Sequence, residues 1–520
     1  MRFFKTLKAV IFAGAFCGSD ALKQTPLGTD VNKFELQSEP QLVTGCLSAC
    51  SALREDFGSQ VTFSDERLYE NELSRFWSLQ QSQTLPACIF LPESSHDVAS
   101  AVILARRSNC PFAVKSGGHA AFSGASNLEG GLTIDLVAIN DITVNKERAT
   151  VSVGPGNGWG DVYRQLENQN LTVVGGRIAD VGVGGLSLGG GISFFSNRHG
   201  WACDNVASYE VVTASGDIII ATPTSHKALY HALRGGGNNF GIVTNFELHT
   251  YPHDRGLMWI GKVVHAGARN NSLIEAFVNF GERGRDPSAT MLFSIVYLQK
   301  GSNFICVSEL DYAEPIADEE VHPTVFDAFF KIEEPIQVTK STKTIVNVIE
   351  DHSVSNPNGL RQSYWTATFH LDLRLAQGIS DLWVQILDPI KDKVAGVIPV
   401  LTFQIITTSM MEHMGDKNGN SLGLEHEKEP LMLVALSAMW RDAADDDIVF
   451  EAYSKWLAES TLRAQELGLN HRYIYMNYAS QFQDPIRGYG ETNVAKLHNA
   501  AKEYDPDGVF QVLQPGYFKL

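Results

Sequence analysis

At 520 residues and 44% hydrophobic content, the chain can bury a large core and divide into two or three lobes. A net charge of -18 argues against the basic face that nucleic-acid binding requires; the acidity serves solubility. Nothing after the N-terminus is apolar enough to span a bilayer, so no membrane partner is expected.

Residues 1–21 read as a secretory signal. Arg2, Lys5 and Lys8 supply the charged start, residues 9–17 a short apolar core, and small residues at 19–21 a cleavage region. A short anchor or a disordered leader is the plainer alternative. Six cysteines remain beyond it, and in an oxidising compartment one pair among Cys46, Cys50, Cys88 and Cys110 is a candidate disulfide whose connectivity stays open. Cys46 and Cys50 also suit one face of a helix. No CxxC, HExxH or histidine cluster occurs, so no metal is expected. The sequons at Asn170 and Asn270 are compatible with a secreted glycoprotein.

Residues 22–81 are expected to form a helical lead-in to the first lobe. From 82 to 253, short apolar strands closed by Gly, Asn or Asp alternate with helices such as 97–108 and 159–168, an α+β block. In it, Phe112-Ala-Val-Lys-Ser116-Gly117-Gly118-His119 is a buried strand ending in a tight turn that presents one histidine. Taken alone, such a histidine is more often a surface or hydrogen-bonding residue than a catalytic one. Val153-Gly154-Pro155-Gly156 follows a strand and precedes a helix, where free N–H groups favour an anion.

Residues 175–191, GGRIADVGVGGLSLGGG, hold eight glycines in seventeen positions. The run is expected to be neither helix nor strand but a backbone that a planar or anionic ligand approaches closely, with a nucleotide phosphate the foremost candidate. Gly176, Val181, Gly182, Gly185, Gly190 and Gly191 are its candidate contacts. It fits neither GxGxxG, which fails at Ser187, nor a GK[ST] loop. Against a flexible linker stand the interleaved Ile178, Val181, Val183, Leu186, Leu188 and Ile192, which favour burial. A third glycine turn runs from Arg234 into a strand carrying Ile242 and Val243. Three such turns exceed what linkers need.

Residues 254–470 change character, with longer alternating strands at 364–373 and 401–408 and an amphipathic helix at 448–467. Gln404 and Tyr364 or Trp365 are candidates to line a cleft, although packing explains any one of them equally. The acidic run 442–447 reads as a solvated loop or helix cap. Residues 471–520 are expected to hold a strand at 473–477 and a helix at 492–504, stopped by Asp505-Pro506.

Together, PFAVKSGGHA, VGPG, the glycine run followed by GWACDNV, RGGGNNFGIVTNFEL and a terminal YMNYA resemble the berberine-bridge-enzyme-like group of FAD-linked oxidases. That group falls within the vanillyl-alcohol-oxidase type of flavoproteins, and the order and spacing cover nearly the whole chain. The resemblance implies a PCMH-type FAD domain of two α+β subdomains at 82–253. It also implies a substrate domain at 254–470, with an antiparallel sheet covered by helices, and a segment 471–520 that returns to the FAD domain.

The implied cofactor is FAD, held by the three glycine turns. His119 matches the histidine that the family bonds to the flavin 8α-methyl carbon, a role open to a neutral imidazole. The family's second covalent link, a cysteine, falls at Ile178 here, so a single link and a less oxidising flavin are implied. Val183 falls where a small or branched apolar residue controls oxygen access, and valine resembles the oxidases. Tyr475 and Asn477 match the YxN motif, in which the tyrosine faces flavin and substrate and the asparagine contacts the cofactor. A strand would put both on one face. As a base, Tyr475 needs a pKa well below its usual value of about 10, and hence a cationic or hydrogen-bonding neighbour.

The implied reaction takes a hydride from an alcohol, an amine or an activated C–H of a small substrate to flavin N5, with O2 as acceptor and H2O2 as product. The single-histidine pattern resembles fungal secondary metabolism and favours an apolar natural product over a sugar. A secreted monomer is expected. The alternatives are a dehydrogenase with another acceptor, distinguished by peroxide production, and a flavin-binding protein without turnover, distinguished by a flavin that substrate cannot bleach.

Overall fold

Short strands of the first half assemble into two main sheets. In the computed structural model, which describes residues 39–283, 286–297, 304–318 and 321–520, Val61–Thr62, Cys88–Phe90, Leu132–Asp135 and Phe112–Lys115 form a four-stranded sheet in that spatial order. The last three are parallel, so a crossover must separate consecutive strands. Helix Ser95–Arg107 supplies one. Ser94 Oγ accepts from Asp97 N at 3.3 Å and caps it, and Val98, Ala101, Val102 and Ala105 recur at helical spacing and are buried. A five-stranded antiparallel sheet follows, built from Ile142–Val144, Thr150–Val153, Ile242–His249, Val206–Val212 and Ile218–Ala221. The expected signal over 1–21 lies outside the described residues.

The single expected disulfide becomes two. Cys46 and Cys50 lie one turn apart on helix Glu39–Phe57, yet Cys46 bonds Cys110 and Cys50 bonds Cys88. Together they tie that helix to the parallel sheet. Each closes a loop of tens of residues, 64 and 38 apart in sequence, so the double variant Cys50→Ser/Cys88→Ser should cost about 2–5 kcal/mol of unfolding free energy. Denaturant unfolding with and without reductant measures it; a variant as stable as the parent would contradict the assignment.

In the second half, eight antiparallel strands run in the order Gln337–Thr344, Leu257–Ala266, Phe304–Tyr312, Ala289–Tyr297, Ile398–Ile406, Leu431–Trp440, Arg361–His370, Asn470–His471. One face buries Trp259, Phe293 and Phe403 beneath helices Asn270–Arg283, Leu373–Leu387 and Asp446–Glu466. The strand alternation leaves Lys262, Glu309, Leu292 and Gln404, one register row, on the opposite face. The acidic run is not wholly solvated, because Asp446 pairs with Arg361 and accepts from Trp440 Nε1 at 2.8 Å. Asp442 does cap, accepting from Ala444 N. Among the described residues no helix is long and apolar enough to cross a membrane, and no His/Cys/Asp/Glu group could hold a metal ion.

Candidate active site

Strand Phe112–Lys115 ends at Ser116, and the chain turns at Gly118 with φ +67°, a left-handed value that favours glycine. Gly117 and Gly182 lie so close that a Cβ on either would sit 2.4 or 2.2 Å from the other's backbone nitrogen. Ser116 Oγ accepts from Gly184 N at 3.2 Å and donates to Pro155 O at 2.5 Å. The strand-end turn, the VGPG turn and the long glycine run therefore meet at one point.

A cavity of about 370 Å³ opens there. Ser116, Gly117, Gly118, His119, Val181, Gly182, Gly185, Ile242, Val243, Tyr475 and Asn477 line it, whereas Gly154, Gly156, Gly176, Gly190, Gly191 and Val183 do not. Close packing accounts for several of the latter. A Cβ on Gly154 or Gly156 would meet the carbonyl of Ile139 or Leu136 at 2.2 or 2.4 Å, and one on Gly176 would meet Trp159 at 2.4 Å. Val183 is fully buried. It opens a short helix, Val183–Leu188, so the glycine run is not wholly irregular as expected.

The His119 ring stacks on Trp77 with centroids 4.1 Å apart and planes 11° from parallel. Trp77 is fixed in turn, its backbone N donating to Gly118 O and its Nε1 to Asn356 O, each at 3.1 Å. His119 Nε2 is buried and has no hydrogen-bond partner. Burial pulls the imidazole down from 6.5 to about 4, so the ring is neutral at pH 7.

Tyr475 and Asn477 also reach the glycine run, but not from a strand. Tyr475 precedes a tight turn, Met476–Tyr478. Its hydroxyl accepts from Ile192 N at 3.0 Å, and Asn477 Nδ2 donates to Leu186 O at 3.2 Å. The expected lowering of the Tyr475 pKa is reversed: burial pushes the phenol well up, Tyr478 adds to this, and the Ile192 amide and the Arg177 cation oppose it. Arg177 is thus the cationic neighbour, and it lies within the glycine run itself.

Arg177 Nη2 donates to Gln404 Oε1 and Tyr478 Oη, each at 3.0 Å. Tyr364 lines the cavity, while Trp365 instead stacks on Phe482. Glu309 and His352 also line the cavity; burial raises the Glu309 carboxyl, but Lys262, 2.9 Å away, together with His352 and Arg177 holds it below its usual range. The sequence carries no motif for Arg177, Trp77, Glu309 or His352. The strand alternation around Glu309 was the only available signal.

These features suit a long, partly planar cofactor such as FAD. Gly117, Gly118, Gly182 and Gly185 line the cavity with bare backbone, Ile242 and Val243 give an apolar wall, and a neutral imidazole holds an unpartnered nitrogen.

An FAD binding domain model matches residues 86–222. The FAD-dependent monooxygenase tpcD of Cochliobolus heterostrophus is 38% identical over 459 residues, which span 86% of this chain and 87% of that one. Among solved structures, BBE-like 1 of Physcomitrella patens superposes with a TM-score of 0.73 at 17% identity, covering 88% of this chain and 97% of its own. Glucooligosaccharide oxidase of Acremonium strictum, described with a 6-S-cysteinyl, 8α-N1-histidyl FAD, has a TM-score of 0.71 at 19% identity, covering 89% and 97%. The two structural likenesses bear on fold alone.

Proposed function

The chain belongs to the berberine-bridge-enzyme-like FAD-linked oxidoreductases, and from that premise we propose that it is an oxidase whose FAD is bonded to His119. The neutral imidazole on the Gly117-Gly118 turn, with its buried, unpartnered Nε2, carries this proposal. Bound FAD would accept a hydride from a substrate C–H at N5 and pass the electrons to O2, which leaves as H2O2.

In this proposal the protein's residues divide the work. Trp77 holds the His119 ring in one plane by stacking. Residues 82–253 with 471–520 hold the cofactor, and 254–470 supply the substrate side. Ile178 stands where the second covalent link would come, so His119 makes the only one. Val183 is assigned to oxygen access, through the wall it backs. Asn477 braces the glycine run.

Tyr475, whose phenol burial keeps protonated, donates its O–H to the substrate's oxygen or nitrogen and orients it for hydride loss. The Ile192 amide and Arg177 stabilise charge on the ring oxygen, and burial opposes it. Tyr475→Phe should therefore retain flavin while slowing its anaerobic reduction by substrate about 10²–10⁴-fold. Unchanged reduction kinetics would remove Tyr475 from the mechanism.

The substrate is assigned to the small molecules of fungal secondary metabolism, and two disulfides suit a secreted protein. Peroxide formed in proportion to substrate oxidised tests the oxidase assignment, and its absence with an artificial acceptor still active would point to a dehydrogenase. The name of the tpcD relative favours a second reading, oxygen insertion. Labelled oxygen in the product distinguishes it.

A further inference from the structure

Resting on the flavin assignment above, we propose that Arg177 makes one end of the cleft a binding subsite for an acidic oxygen (a carboxylate, phenolate or enolate) on a planar conjugated substrate.

Arg177 lines the cavity together with Tyr364, Tyr475 and Tyr478. A guanidinium has five N–H donors in one plane. Two bonds from Nη2 hold it, one to Gln404 Oε1 and one to Tyr478 Oη, each at 3.0 Å. Both partners are neutral, and Gln404 is itself only 5% exposed. Among the described residues no carboxylate lies within ion-pair distance of Arg177, and its Nε and Nη1 groups make no hydrogen bond to protein.

The nearby charges do not neutralise it by contact. Glu309 is engaged by Lys262 at 2.9 Å, and Asp311, two positions further along the same strand face, is buried. His352 pairs through Nδ1 with the Arg177 carbonyl at 2.9 Å, which anchors the backbone that carries the guanidinium. Glu309 and Asp311 act on this cation only through space; a guanidinium with free donors and no carboxylate in contact favours an anionic partner, and the planar fork matches two oxygens on one carbon better than a point charge would.

The surrounding rings set the shape. Tyr364 and Tyr478 stack with centroids 5.8 Å apart and planes 16° from parallel. Tyr475 meets Tyr478 edge-on at 4.8 Å. A flat conjugated ligand fits such walls. With its acidic oxygen on Arg177, it would lie beside the Tyr475 hydroxyl. The cation is thus both the substrate's anchor and the group that eases charge on Tyr475.

The test uses the full-length flavin-loaded protein and two isosteric pairs, benzoate against benzamide and sorbate against sorbamide, titrated by perturbation of the flavin absorption. Both anions should bind the parent at least about tenfold tighter than their amides. Arg177→Met should abolish that preference by weakening the anions while leaving the amides unchanged. Equal binding of anions and amides to the parent, no binding of any anion, or a preference that survives in Arg177→Met would each overturn the subsite. A coloured protein without anion preference overturns the subsite alone, whereas a colourless protein overturns the flavin assignment with it.

Discussion

Arg234→Met should lower the unfolding free energy by about 3–5 kcal/mol, the range for stripping the partner from a buried charge. Arg234 and Asp204 are 0% and 2% exposed and meet at 2.6 Å. Burial alone pushes the Asp204 carboxyl up; Arg234 is the chief group that opposes this, helped by the Trp201 amide and Asn420. The same guanidinium donates through Nε to Cys203 O at 2.9 Å and through Nη1 to Gly419 O. Asn420 Nδ2 donates to Asp204 Oδ1 at 2.8 Å, so one ion pair joins three loops. Those loops back the glycine run, because Ala202 N and Cys203 N donate to Gly191 O and Gly190 O. The cost should appear as a lower denaturant midpoint. Arg164→Met is the control, since its partners Asp161 and Glu350 are about half exposed and the change should cost under about 1 kcal/mol. A cost that small for Arg234→Met would mean that water or a neighbouring group takes over the role of the cation.

His119→Ala should convert a flavin that survives denaturation into one released completely. The proposed bond is lost, while the packing of Gly117 against Gly182 that shapes the cleft is untouched. The folded variant is therefore expected to keep flavin reversibly, at a stability cost of about 1 kcal/mol from the lost stack on Trp77, because Nε2 makes no hydrogen bond that the fold would miss. A variant that still yields a flavin-bearing peptide would place the link on another residue.

Much of this site was legible in the sequence because glycine marks it directly. A missing Cβ is a sequence property, and at Gly117 and Gly182 it records two backbones in contact. At Gly154, Gly156 and Gly176 the missing Cβ likewise records close protein neighbours, Ile139, Leu136 and Trp159. The α+β first lobe and the long strands and helix of the second followed from their apolar periods, with ends displaced by a few residues: strand 364–373 became Arg361–His370 and helix 448–467 became Asp446–Glu466, while the antiparallel pairing was implied by the resemblance alone.

What stayed illegible depends on tertiary placement. The expected strand at 473–477 rested on an aromatic-rich pattern, but docking of Tyr475 and Asn477 onto the glycine run favours a turn. Arg177 sits among glycines with no motif of its own, and its partners Gln404 and Tyr478 come from 227 and 301 residues away. Trp77 reaches His119 from outside the FAD binding domain match. Cysteine connectivity is likewise absent from spacing, which is why one expected pair proved to be two.

The most direct measurement is the visible spectrum of the purified protein before and after acid precipitation. Yellow colour retained in the pellet, with the flavin then found on the peptide containing His119, is the predicted result. Colour passing wholly into the supernatant would contradict the bond to His119 while leaving the FAD assignment, and a colourless protein would contradict the assignment of this cleft to FAD.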